Sequence, residues 1–507
     1  MGIVIKESAK STLISFVGTA IGAVSTLFVY TLDLDAYGFS QVLIAVALLL
    51  APIASWGWTG VITRFFPQFQ EGGPQARAAF LTMSLVAGLV GFTLFALVSF
   101  LYLLPWLERA QSDSNQLTVY LTYRWHIGVL VFTQMLAGML DVYIQNFRKI
   151  TVQTFIDSIL RKLLLAAIIF LSYLNDWTPA TLADCLVIMQ AVILGSLFVY
   201  LVSIGEWRLS FAWRPYLNRK LVKEVASYAG YMFLGVIGSK IALQIDTVSL
   251  GAYVSTKEVG VYRIVAFAAA LIAFPLVAVS RISAPIVADA FRRNDHVQVE
   301  KMYRDASRSL TLTAVVLFLL LYVSLDDVFR LTGRAEAFSS AGAVFLLIGG
   351  ANVYHQLHSI NNLVVSYSML YRYNLIFILL LSVLNIALNW LFIARMSMGS
   401  EGAALATFVA LTAYNSLMSL LVYSRLGLHP FSRSMVFTLL TGAIVLLGLQ
   451  PLTLPFPPLI NIGVRSLLIG AIFTAYVLFT AQQPEAKRLL LMGWKRCLHW
   501  YTSRTQR

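Results

Sequence analysis

Charge is what this sequence has least of. Only 12% of its 507 residues are Asp, Glu, Lys or Arg, about half the roughly 25% of a soluble chain. With 59% hydrophobic residues and a mean hydropathy of +0.78, a soluble domain is excluded and a polytopic membrane protein is specified. Cysteine is scarcer still. Cys185 and Cys497 stand far apart, which excludes a disulfide framework and leaves no basis for a cysteine metal site. No phosphate-cradling glycine loop, nucleophile elbow or zinc-binding helix motif occurs. We therefore expect no enzyme, no cofactor and no metal, and any driving ATPase would be a separate subunit. A cleavable signal peptide is not expected either, because residues 1–10 are polar and the first apolar run is long enough to span. The one excess is positive: 37 Lys and Arg against 23 Asp and Glu, a net +14. In so apolar a chain this belongs to cytoplasmic loops rather than to nucleic acid.

What is present is a series of long apolar runs. Fourteen transmembrane helices are predicted, at 11–31, 39–62, 79–105, 119–145, 153–174, 183–204, 226–250, 258–281, 309–328, 341–366, 373–394, 402–424, 434–452 and 461–481. The connections between them are short and leave no room for an extramembrane domain. With the N-terminus inside, the cytoplasmic segments carry 26 Lys and Arg, the outer connections five, and the spans six. That asymmetry predicts both termini in the cytoplasm.

The chain is organised around 226–281, two apolar helices that hold Lys240, Asp246 and Arg263. This stretch repeats the start of the sequence. Gly38 lies fourteen residues before Pro52, and Gly260 fifteen before Pro275. Residues 180–192 (ATLADCLVIMQAV) likewise precede 402–414 (GAALATFVALTAY) by 222. Arg64 with Pro67 and Arg281 with Pro285 follow the second and eighth spans. Six helices per copy preserve orientation, so the fold class expected is all-α with two parallel six-helix repeats. The expected domains are a lobe at 1–204, a cytoplasmic linker at 205–225, a lobe at 226–424, extra helices at 434–481 and a basic tail at 482–507. In the tail, Leu490, Trp494, Cys497, Leu498 and Tyr501 share one helical face, which describes an interfacial anchor.

Six cations lie within the predicted spans (Arg124, Arg161, Lys162, Lys240, Arg263, Arg465) against three carboxylates (Asp141, Asp157, Asp246). The surplus favours an anionic cargo, since charge kept at membrane depth faces a cavity or a partner. Asp157 and Arg161 are spaced to pair on one helix face, and Lys162 and Arg465 are placed to snorkel. Asp246 and Arg263 are open to an ion pair or cargo contact, and Asp246 and Asp157 to an ion-coupling role. Lys240 cannot share a face with Asp246, because six residues turn a helix by about 240°. It is the leading cavity residue, followed by Arg161, Arg124 and Arg263. The tenth span adds polar groups: Asn352, His355, Gln356, His358, Asn361 and Asn362. His355, His358 and Asn362 would share one face, as a hydrated wall, a proton relay or an interhelical hydrogen-bonding seam. The two histidines lack the further ligands of a metal site.

The opening MGIVIKESAKSTLISFVGTAIGAVSTLFVY, the AYG turn with TRFFPQF, the segment EVGVYRIVAFAAALIAFP and GSEGAALAT at 399–407 resemble Wzx-type polysaccharide exporters. These belong to the MATE/MOP superfamily, with the lipid II flippase and multidrug exporters. The resemblance implies two six-helix lobes, a cationic central cavity and alternating access. It also implies translocation of an undecaprenyl-pyrophosphate-linked oligosaccharide across a bacterial inner membrane, for O-antigen, capsule or exopolysaccharide synthesis. The partners expected are that substrate, membrane lipids and polysaccharide assembly proteins. The first alternative is a cation-coupled multidrug exporter, which the positive balance disfavours. The second is a membrane glycan polymerase or ligase, disfavoured by the short outer loops.

Overall fold

The computed structural model describes residues 2–112, 117–147, 149–213, 216, 218–450, 455–480 and 487–488. Of the predicted tail at 482–507 they include Lys487 and Arg488, and the residues of its apolar face, Cys497 among them, lie outside. Every regular element among the described residues is helical, as a chain in hydrocarbon requires, where each backbone group must be satisfied within its own segment. The chain is all-α and polytopic. Packing divides it into two compact units, Met1–Ile264 with Ile378–Ala403, and Val265–Phe377 with Ala404–Arg507.

The first unit begins with α1 (Gly2–Val24), which runs into a π segment (Ser25–Val29), and α2 (Leu34–Ala54). Asp33 caps α2 by accepting from the Ala36 amide at 2.9 Å. Two-thirds of its apolar window is buried, which makes α2 the centre of this unit. It is followed by α3 (Trp58–Glu71), α4 (Gly73–Val98) with a π extension (Ser99–Leu103), α5 (Leu104–Ser112), α6 (Thr118–Thr122) and α7 (Arg124–Gln145). Next come α8 (Ile150–Phe155), a π segment (Ile156–Leu160), α9 (Arg161–Asn175), α10 (Pro179–Ser203), α11 (Arg219–Tyr253) and the start of α12 (Thr256–Ala270). α2 packs on α7 and α11, and α3 on α4, α7 and α11. The backbones of α2 and α12 approach most closely where Gly38 meets Thr256 and Gly260 meets Leu34.

The second unit continues through a 3₁₀ turn into α13 (Phe274–Arg292), then α14 (His296–Val323), α15 (Leu325–Leu331), α16 (Ala341–His358) and α17 (Asn361–Tyr367). α18 (Tyr373–Asn389), extended by a π segment (Trp390–Arg395), returns mostly to the first unit. α19 (Gly399–Leu426), α20 (Arg433–Leu449) and α21 (Pro458–Phe479) complete the second. Its core has two clusters, one around Tyr303, Val364 and Met418 and one around Leu319, Ile469 and Phe473.

Eleven helices among the described residues are long and apolar enough to cross a membrane. They correspond to eleven of the fourteen predicted spans. The fifth predicted span is one helical run of α8, a π segment and α9, whereas the tenth is broken into α16 and α17 at Ser359. The thirteenth, α20, has 17 residues. Two segments read as loops, after the second and eighth spans, are helical instead. α3 buries Ile62, Phe65, Phe66 and Phe69, and α13 buries Ser283, Val287 and Ala290. α11, which begins within 205–225, packs on α2 and α3 within the first compact unit.

Contacts within the first unit recur at a fixed spacing. The Lys162 ammonium donates to the Gly18 carbonyl at 2.8 Å, and the Ser382 hydroxyl to the Gly238 carbonyl at 2.6 Å. Each pair is separated by 144 residues, and one pair is displaced from the other by 220. A duplicated sequence produces such a recurrence.

Candidate functional site

The densest charge inside a predicted span of the first unit is built by α7, α8, α9 and the π segment between the last two. The wider π turn carries Asp157, and Arg161 opens α9 one turn later. Their side chains pair at 3.2 Å, as their spacing predicts. Arg161 also donates to Gln190 Oε1 of α10 at 3.2 Å. Gln190 is buried, and its Nε2 makes no hydrogen bond. Asp141 of α7 accepts from Gln145 at 3.2 Å through Oδ2, and among the described residues its buried Oδ1 meets no donor at full hydrogen-bond geometry. Asp141, Gln134, Gln153, Asp157 and Arg161 line one cavity of about 50 Å³. The Lys240 ammonium on α11 interacts electrostatically with Asp157 and Arg161. Among the described residues it makes no hydrogen bond and no ion pair.

The other charges at membrane depth are held differently. Buried Asp246 accepts from the Tyr262 hydroxyl at 2.7 Å and from Asn389 Nδ2 at 2.8 Å, and Asn389 is braced by Asn385. Arg263 donates from Nε to Gln41 at 3.2 Å. Arg124 pairs with Glu108 at 3.0 Å and borders an apolar groove rather than the polar cavity. Arg465, read as a snorkelling residue, instead bonds Asp327 at 2.9 Å with side-chain exposures of 13% and 4%. Lys162, also read as a snorkel, is bound to the Gly18 carbonyl. Both sites favour a partner over the interface, because a desolvated cation gains more from an acceptor fixed nearby.

The polar groups of the tenth predicted span lie in the second unit, and they do not share one helical face. α16 ends at His358, Ser359 takes a φ of +36°, and Asn362 belongs to α17. The Ser359 hydroxyl is tied to Ser307 at 2.7 Å, which holds the break. Asn352 donates to the Ala269 carbonyl at 3.1 Å, and His355 Nδ1 meets Asn415 Oδ1 at 2.9 Å. His358 is buried with Nδ1 against the Tyr354 carbonyl. Gln356 and Asn361 are buried as well, while Asn362 is exposed. This is an interhelical hydrogen-bonding seam. Among the described residues no cluster of three or more His, Cys, Asp or Glu could hold a metal ion.

The partners that sequence reasoning missed are mostly neutral: Gln41, Gln190, Asn415 and the Gly18 carbonyl. Gln41 carried a signal, since it stands 222 residues before Arg263.

Residues 7–291 match the family described as polysaccharide biosynthesis protein. No curated protein matches the chain in sequence. A structure titled lipid II flippase MurJ, inward closed conformation, superimposes with a TM-score of 0.68 at 16% identity, over 92% of this chain and 98% of that one. An inward-facing multidrug resistance MATE family transporter of the MOP superfamily gives 0.59 at 12%, over 83% and 98%. A MOP superfamily transporter from Pyrococcus furiosus, titled for the reverse polarity of its binding pocket, gives 0.50 at 12%, over 84% and 95%. At these identities the likeness establishes the fold.

Proposed function

The chain belongs to the polysaccharide biosynthesis protein family, and from that premise we propose that it is a transporter, not an enzyme, that carries a lipid-linked oligosaccharide across a bilayer. The cargo class is a polyprenyl-pyrophosphate glycan, the membrane a bacterial inner membrane with both termini cytoplasmic, and the mechanism alternating access between two six-helix repeats. The fold it shares with a lipid II flippase supports this reading. The observation that carries it is Lys240. Three of the six intramembrane cations are neutralised at contact distance, Arg124 by Glu108, Arg161 by Asp157 and Arg465 by Asp327. Among the described residues Lys240 has no carboxylate at contact distance, and a desolvated ammonium needs water or an anion. A pyrophosphate supplies that anion.

Lys240 and Arg161 would hold the phosphates, with the cargo displacing Asp157 from the guanidinium. Arg263, oriented by Gln41, would supply a second cationic contact. Asn362, the exposed amide of α17, and partly buried Asn352 and His355 would meet sugar hydroxyls. Polysaccharide assembly proteins are the partners such cargo implies.

A multidrug exporter is the second reading, and Asp141, a carboxylate lining the small polar cavity, is the observation that favours it. Purified protein in proteoliposomes separates the two. A labelled polyprenyl-pyrophosphate oligosaccharide should become accessible to an external glycosidase only when the protein is present. Transport of an organic cation without movement of the lipid would overturn the proposal.

A further inference from the structure

In the second unit, the six cations from Arg281 to Arg308 are not equally engaged. Arg292 and Arg293 pair with Asp289, Arg304 with Glu300 and Arg308 with Asp305. Arg281 and Lys301 make no ion pair or hydrogen bond among the described residues. Of the two, exposed Lys301 lines a groove of about 500 Å³ between α13 and α14. The groove is graded along α14. Gln298 and Lys301 stand at one end, Met302 and Ala306 in the middle, and Ser309 at the start of the ninth predicted span. From Gln298 to Ser309 the helix rises about 16 Å. Val279 and Ile282 of α13 add an apolar wall, and Ile282 is 68% exposed. A polar rim above an apolar floor, where two spans meet their cytoplasmic connection, has the polarity of a lipid lying head outward.

We propose that this groove holds a resident acidic phospholipid of the cytoplasmic leaflet, of the phosphatidylglycerol class. The inference concerns a lipid that stays with the protein and does not depend on the cargo. Charge sets the class. Asp305, the one carboxylate of the lining, is already held by Arg308 at 3.0 Å, so Lys301 leaves the groove with a single positive charge. A phosphodiester carries one negative charge and balances it, whereas a pyrophosphate brings more than one lysine offsets. The ammonium has three donors for the free phosphodiester oxygens. Gln298 accepts from Arg293 through Oε1 at 2.9 Å, and its amide nitrogen is a further donor at the same end. Asp305 Oδ1 takes the Arg308 bond, so Oδ2 remains to accept a headgroup hydroxyl. Acyl chains gain little by moving from lipid to an apolar wall. Selection therefore rests on the headgroup, as in basic pockets between helices on the cytoplasmic side. A lipid seated there would splint α13 against α14.

The test is retention of phosphatidylglycerol by the full chain through delipidation in detergent, read by native mass spectrometry. Phosphatidylethanolamine with the same acyl chains is the competitor. Wild type should keep phosphatidylglycerol about tenfold or more over phosphatidylethanolamine, and added phosphatidylglycerol should raise the thermal midpoint. Lys301→Gln should lower retention about tenfold, the weight of a charge-assisted hydrogen bond, and abolish the rise in midpoint. Lys301→Arg should keep most of both. Arg292→Gln removes the same charge from the same connection but not from the groove, and should change retention less than about twofold. Equal losses in Lys301→Gln and Arg292→Gln would show attraction by net charge without a site, and overturn the inference. Equal retention of the two phospholipids, or none by folded wild type, would overturn it as well, and the flippase reading would stand in each case.

Discussion

Arg263 donates a hydrogen bond to Gln41 at 3.2 Å across 222 residues, the same interval that separates the matching stretches 180–192 and 402–414. Two positions that correspond under the repeat thus touch each other. Beside them Thr256 bonds Asp35 across 221 residues at 3.1 Å. Gly38 and Gly260, the sequence landmarks of the two copies, face the backbone of each other's helix, at Thr256 and Leu34. α2 and the start of α12 therefore meet through equivalent residues, which is where a chain built from two copies brings like positions together.

This contact fixes the first prediction. A methyl group on Gly38 would overlap the Thr256 carbonyl oxygen, and one on Gly260 the Leu34 carbonyl oxygen. Neither obstacle is a side chain that can rotate away. Gly38→Ala and Gly260→Ala should each cost about 1–3 kcal/mol by overpacking, seen as a lower thermal midpoint in detergent. Gly128→Ala, which meets open space, is the control. A Gly38→Ala variant as stable as the control would mean that the helices do not approach this closely.

The Arg465–Asp327 pair joins α21 to α15 with Asp327 at 3% exposure. Breaking a buried pair strands a charge and costs about 3–5 kcal/mol, whereas an apolar replacement of both partners is often neutral. Asp327→Leu and Arg465→Met should each destabilise, and the double variant should recover most of the loss. Additive losses in the double-mutant cycle would show that the two side chains are not coupled.

Much of this architecture was legible in the sequence, and the exceptions have physical causes. Apolar runs located α2, α10 and α11 because burial in lipid is written in composition. The break of the tenth span at Ser359 was not readable, since it depends on a bond to Ser307 more than fifty residues away. The π segment carrying Asp157 likewise has no local breaker. α3 is legible in the sequence. Ile62, Phe65, Phe66 and Phe69 fall at i, i+3, i+4 and i+7, a helical stripe that the nearby Arg64 and Pro67 obscured. Among the site residues, Asp157–Arg161 followed from spacing alone. The bond of Lys162 to Gly18 and that of Arg465 to Asp327 did not, because each joins helices distant in sequence.

Asp157 is predicted to restrain Arg161. Half-exposed ion pairs are worth up to about 1 kcal/mol, so Asp157→Asn should tighten binding of geranyl pyrophosphate to purified protein by up to about fivefold. The measurement is titration calorimetry at constant pH. Weaker binding in this variant would show that Asp157 organises the site instead of competing for it.

Orientation rests on the distribution of Lys and Arg. Single cysteines at Asp33, Asn175 and Glu336 should react with an impermeant thiol reagent applied outside intact cells, and cysteines at Gly73 and Asn294 should not. The reverse pattern would invert the topology and the direction of transport with it.

Lys240 carries the account, as a cation within electrostatic range of the Asp157–Arg161 pair with no hydrogen bond of its own among the described residues. The decisive measurement is membrane abundance and surface glycan in the same cells expressing wild type, Lys240→Ala or Lys240→Arg. The account predicts normal abundance for all three. Surface glycan should be lost, with lipid-linked precursor accumulating, for Lys240→Ala, and partly retained for Lys240→Arg, because a mobile pyrophosphate reads charge before headgroup shape. Normal export by an abundant Lys240→Ala protein would contradict it.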